Sequence, residues 1–259
     1  MSETTEKTSI GERVHEIIAS VFTQEAKVIT LSAWQRAFGY EITRADPSHP
    51  VLRRLIMFRE QVDKFERKAL NELQLLQMAP TLKELGVLVD VSLNQPHANW
   101  GDVRKNLSAS SLVTLSIVSQ LMVKDEVKLR TVELKELQAL IDMCEELLES
   151  TIGIGPSLKQ LLKRHFRIVR RCLEECEIMG IDAWKDGYKF GWFIIDEERE
   201  LREELGVTLR KEENANLAAG LLSLWKRYAD FAQKYSDPAS VPFTAFGYYE
   251  GVKLLTGSV

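Results

Sequence analysis

The sequence predicts an all-α protein, a bundle of about nine to eleven amphipathic helices packed on one another. Three observations carry that expectation. Apolar residues recur mostly every three or four positions along the 259 residues, the period of a helix buried on one side. Strand-like alternation bounded by turn residues is scarce. Hydrophobic content is 45% and charged content 28%, ordinary globular values away from the disordered regime.

Residues 1–8 are polar and read as a disordered tail, neither a signal nor a transit peptide, with a single helical domain over 9–259. The first helix spans 9–24, with Ser9 as N-cap and Val14, Ile17, Ile18 and Val21 on one face. A short helix from Ser32 to Phe38 stops at Gly39. After a breaker-rich loop, Pro50 suits the first turn of the longest helix, which runs to about Met78. Leu55, Phe58, Val62, Phe65, Ala69, Leu73 and Leu76 form a coiled-coil-like seam on it. The seam reads either as a hairpin arm packed within the chain or as a homodimer helix through residues 51–76.

Pro80 opens a helix to Leu93, and Trp100–Leu107 is a short turn or helix. No charge occurs from Asn106 to Val123. That length is borderline for a membrane span. Its load of serine, threonine and glutamine suits a buried central helix better. The charged connector at 124–130 is the place for a sub-boundary. Helices then follow over Thr131–Ser150, Ser157–Met179, 181–205, Thr208–Tyr235 and Phe243–Leu255. No internal repeat is visible.

Charge is organised between residues 131 and 213. An acidic helix is followed by a basic one, then by an acid-rich stretch from Glu174. In the basic helix, Leu158, Leu161, Leu162, His165, Phe166, Val169, Cys172, Leu173 and Cys176 form one broad face. Lys159, Lys163, Arg167, Arg170 and Arg171 run along the opposite face, a candidate surface for an anion or a partner. An antiparallel hairpin would instead pair these cations with Glu145, Glu146 and Glu149, each exposed pair contributing about 0–1 kcal/mol. A net charge of −4 gives no global pull toward nucleic acid or an anionic membrane.

Trp184, Tyr188 and Trp192 recur every four residues and are candidates for partner binding, or for core packing. Cys144, Cys172, Cys176 and His165 lack the tight loop knuckle of a zinc site and read as buried apolar residues, with no metal and no cofactor expected. Three cysteines fit a reducing cytosol. The loop TIGIGPSLK has the glycines of a phosphate loop without its Gly-Lys-Ser/Thr ending. Arg44 and His49 stand in an Arg-x4-His spacing that resembles the ribonuclease signature of HEPN domains. The intervening Ala45-Asp46-Pro47-Ser48 departs from the polar residue that usually follows that arginine.

Residues 131–187, about a fifth of the chain, carry an acidic helix, then Leu158-Lys159-Gln160-Leu161-Leu162 and Ile178-Met179-Gly180-Ile181 before an Ala-Trp helix. This span resembles a helical segment of uncharacterised bacterial proteins, some linked to antiphage defence. The resemblance implies no activity and no site residue. The function expected is a non-enzymatic interaction protein of the cytoplasm: an accessory subunit, regulator or inhibitor that binds another protein or itself. The alternatives are a nucleic-acid-associated effector, either HEPN-like or acting through the basic helix, and a membrane-perturbing effector acting through 107–123.

Overall fold

A computed structural model describes residues 7–39, 48–73, 78–129, 131–181, 183–184 and 198–235. Among them ten α-helices, two 3-10 turns and a two-stranded ladder make an all-α protein. The chain divides into two units after Lys128, within the 124–130 connector.

In the first unit, α1 (Ile10–Phe22) starts at Ser9, whose hydroxyl accepts the Glu12 N–H while the Glu12 carboxylate accepts the Ser9 N–H. This reciprocal capping box satisfies two orphan donors of the first turn. Burial works to raise the Glu12 pKa, but hydrogen bonds from Lys124, Thr8 and the Ser9 backbone outweigh it and lower the value. Residues 7–8 of the expected tail are ordered. They form β1 (Lys7–Thr8), antiparallel to β2 (Glu126–Val127), so the connector supplies their hydrogen-bond partners.

The next elements are α2 (Thr30–Ala37), α3 (Ser48–Leu73), α4 (Ala79–Asn94), α5 (Trp100–Val103) with a 3-10 turn (Arg104–Asn106), and α6 (Ala109–Leu121). A structural repeat appears here that the sequence conceals. The α1–α2 and α4–α5 pairs are two helix–loop–helix units joined through their loops. Thr30 N–H donates to Ala98 O and Trp100 N–H to Val28 O, at 2.9 and 2.8 Å. Leu31 N–H donates to Pro96 O and Gly101 N–H to Ala26 O, both at 2.8 Å. Each donor and acceptor has its counterpart 70 positions later, about a bridge between Ile29 and Asn99. Loop pairing also sets the start of α2 at Thr30, two residues before the expected Ser32. The loops, Thr23–Ile29 and Gln95–Asn99, lack the run of acidic ligands that a calcium loop needs.

Val51, Leu55, Phe58, Val62, Phe65 and Ala69 of α3 are buried within this unit, where α3 packs on α1, α2 and α4. The seam is therefore a hairpin arm and presents no free face over these residues to a second copy. The side chains of Leu73 and Leu76 lie outside the described residues. Trp34, Phe38, Phe58 and Trp100 form an aromatic cluster at the centre.

The second unit contains α7 (Thr131–Ser150), α8 (Pro156–Met179), α9 (Arg199–Leu209), a 3-10 turn (Glu212–Asn214) and α10 (Ala215–Tyr235). α7 buries Leu137, Ile141, Cys144 and Leu148, and α10 buries Leu221, Leu224, Trp225 and Tyr228. The two run antiparallel: Lys234 pairs with Glu133 at 2.6 Å, and Arg227 with Glu136. Gly220 allows the close approach, since a Cβ there would lie 2.9 Å from Leu147 Cδ1. Two helix boundaries differ from expectation. α9 continues to Leu209, and Thr208 is its buried penultimate residue, not the start of the next helix. The Thr208 carbonyl accepts from the buried Asn214 amide at 2.8 Å, which closes the turn into α10. Most of the helix expected over 181–205, and the one over 243–255, lie outside the described residues.

Candidate functional site

The basic helix α8 begins at Gly155 and Pro156, with no side-chain cap. Gly153 in the preceding loop takes φ +85°, a left-handed turn suited to glycine. A Cβ at Gly155 would lie 2.7 Å from a Glu204 carboxylate oxygen, and one at Gly153 would lie 3.5 Å from Glu213. Carboxylates therefore flank the loop, which sets it apart from a phosphate cradle.

The buried face of α8 is the expected one, from Leu158 through His165 and Phe166 to Cys176. The cations divide into two groups. Glu149 binds Lys159 at 2.6 Å and also binds Lys163. Hydrogen bonds from these two ammonium groups lower the Glu149 pKa to about 2. Arg170 is half-buried between α7 and α8, where Nη2 meets Asp142 at 2.5 Å and Glu145 at 2.8 Å. Burial works to lower the Arg170 pKa, but hydrogen bonding and the charges of Glu145 and Asp142 outweigh it and raise it. Arg170 thus belongs to the helix interface and not to the outer face. Arg171 pairs with Glu175 one turn along its own helix, at 2.9 Å.

Arg167 remains exposed with no ion-pair partner among the described residues, and so does Arg164, which the sequence reading did not single out. Arg164, Arg167 and Arg171 occupy the outer ridge of α8 at helical spacing. Beside it, an open groove of about 880 Å³ is lined by Asp142, Glu145, Glu146, Glu149, Ser150, Lys163, Arg167 and Arg170. Four carboxylates against three cations make that groove slightly negative, an unfavourable bed for a polyanion.

Of the three aromatic candidates, only Trp184 lies among the described residues, and it belongs to the core. Trp184 is fully buried and meets Tyr228 and Phe231 edge-on, with centroids 5.1 and 5.2 Å apart. Its partners on α10 were not legible from the four-residue aromatic spacing. Tyr188 and Trp192 lie outside the described residues, as do Arg44 and the His49 side chain. Cys144, Cys172 and Cys176 are buried and outside any disulfide, and burial pushes Cys144 up to about 12. His165 is buried beside Phe166. Among the described residues no cluster of three or more His, Cys, Asp or Glu could hold a metal ion.

The face that sequence reasoning missed is on α6. The charge-free segment forms a helix of 13 residues capped by Ser108, whose hydroxyl accepts the Ser111 N–H at 3.1 Å. The expectation was a buried central helix. In fact Ser111, Leu115, Val118 and Ser119 face inward, while Val113, Ile117 and Leu121 and the following Val123 are 61%, 48%, 56% and 60% exposed. Positions 113, 117 and 121 make one longitudinal stripe. No helix among the described residues is long and apolar enough to cross a membrane.

No protein-family model matches the chain, and neither a curated protein nor a solved structure matches it.

Proposed function

We propose that this chain is a non-enzymatic interaction protein, an accessory subunit, regulator or inhibitor, and that α6 carries its docking face. The supporting observation is the stripe Val113–Ile117–Leu121 with Val123, large apolar side chains left in water on a helix without charge. A contiguous exposed apolar patch of this kind marks an interaction site. Three buried cysteines outside any disulfide suit a reducing compartment, hence the cytoplasm. The resemblance of residues 131–187 suggests a bacterial setting in antiphage defence for this role.

Native mass determination tests the proposal, comparing wild type with Ile117→Asp. A bound macromolecule present on the wild type and absent from the variant is the expected result. The same mass and the same co-purifying material for both proteins would sink the reading.

A second reading is favoured by Arg164 and Arg167, one turn apart, exposed and without a counter-charge among the described residues. They support contact with an anionic partner. Charge reversal at both should abolish salt-dependent binding to single-stranded RNA or DNA at low ionic strength. No binding by the wild type at low salt removes this second reading.

A further inference from the structure

We infer that the partner on the α6 face is a second copy of this chain, in an antiparallel two-fold pairing centred on Ile117. The inference rests on the interaction reading of α6 and specifies its partner.

Charge comes first. No charged residue falls between Lys105 and Lys124, and α6 is the one helix among the described residues that carries none. A charged partner face would be stripped of water with no counter-charge on α6 to meet it, an uncompensated cost. Interface cores are depleted of charge for this reason. The most neutral helix among the described residues is α6 itself, and a two-fold axis brings it against its own copy.

Shape selects the direction. The exposed face is small at its N-terminal end, with Ala109 and Ser110, and bulky at its C-terminal end, with Leu121 and Val123. Antiparallel pairing about Ile117 lays Leu121 across the copy's Val113 and Val123 beside the copy's Ser110. Parallel pairing would stack bulky ends on bulky ends. The Ser110 hydroxyl is already 2.9 Å from that of Ser108, so the small end hides no orphan group.

Electrostatics agree. Lys124 is bound to Glu12 at 2.6 Å. Antiparallel pairing keeps the two copies of Lys124 about 20 Å apart along the axis, beyond a Debye length at physiological salt. Parallel pairing would set them side by side.

Sedimentation equilibrium of the purified full chain across a wide concentration range tests this, beside Ile117→Asp. The chain mass is 29.6 kDa. The expected result is a two-chain mass for the wild type, and self-association weakened about a hundredfold or more in the variant, because two introduced carboxylates meet at the axis. At concentrations low enough that both are single chains, melting curves of the two should coincide, since Ile117 is half in solvent. A second variant, Ile117→Cys, should form an inter-chain disulfide under mild oxidation, whereas Val132→Cys, on α7 and more exposed than Ile117, should not.

A one-chain mass at every concentration with no Ile117→Cys cross-link overturns the inference. A dimer indifferent to Ile117→Asp overturns it too, by placing the contact elsewhere. A monomer that binds phosphatidylglycerol vesicles through Ile117 assigns the face to a lipid surface instead. A monomer that loses a different co-purifying protein in Ile117→Asp overturns self-pairing and leaves the interaction reading intact. A variant indistinguishable from wild type in every one of these assays sinks both.

Discussion

Trp34 and Trp100 meet edge to face at the centre of the first unit, with ring centroids 6.2 Å apart and planes at 72°. They come from the two paired helix–loop–helix units, and both are fully buried. Edge-to-face pairs contribute about 0.5–1.5 kcal/mol beyond the area they bury. Trp100→Ala removes that contact and leaves a large cavity beside Trp34 and Phe22. It should cost about 3–5 kcal/mol in urea unfolding. Trp100→Phe keeps much of the volume and should cost distinctly less. Equal losses for the two would show that ring volume is not what joins the loops.

Gly180 ends α8 at φ +69° and ψ −158°, a conformation that essentially only glycine adopts. Gly180→Ala should destabilise by about 1–3 kcal/mol. Gly155 is a useful contrast. Its φ is −58°, and an added methyl would meet only the mobile end of Glu204. Gly155→Ala should cost less than about 1 kcal/mol. Chemical denaturation of both variants in parallel checks the order, and a reversed order would contradict the strain argument.

The contrast between α8 and α6 shows which parts of this fold are legible in sequence. On α8, arginines and lysines oppose leucines, so the buried face is readable to the residue. On α6, Leu115 and Val118 face inward while Val113 and Ile117 face out. Both sides are apolar, the pattern has no phase, and burial cannot be assigned from it. The loop pairing is hidden for another reason. Thr30 and Trp100, or Leu31 and Gly101, do the same work through backbone N–H groups, which ask nothing of the side chain. Arg170 failed at a finer scale. One residue is 100° of helix, enough to move it from the outer ridge, where Arg171 stands, to the α7 interface.

Glu149 carries a pH dependence with a definite sign. Its folded pKa is about 2, against an ordinary 4.5. A depressed carboxylate contributes stability that is fully present above about pH 4.5 and is lost as pH falls toward 2. Carbon-detected NMR titration should place the Glu149 midpoint near 2 in the wild type. Replacing Lys159 and Lys163 together with methionine should return it to the ordinary range. An unmoved midpoint would mean that the two ammonium groups are not its cause.

The thiols of Cys144, Cys172 and Cys176 should behave as core atoms and not as nucleophiles. All three are buried, and the Cys144 thiol has its pKa raised to about 12 by loss of water. The thiolate is the reactive form, and at neutral pH it is suppressed far below its abundance at an exposed cysteine. In native protein, a chromogenic disulfide reagent should label none of the three on a timescale of minutes. In urea it should label all three, with a midpoint that follows global unfolding. The Cys144 thiol lies 3.5 Å from where a Cβ on Gly220 would sit, so its protection reports the α7–α10 contact directly. Enlarging Gly220 to alanine drives a methyl against Leu147 and should speed Cys144 labelling before it affects the other two thiols. Rapid native labelling of Cys144 in the wild type would mean that α7 and α10 separate in the folded protein.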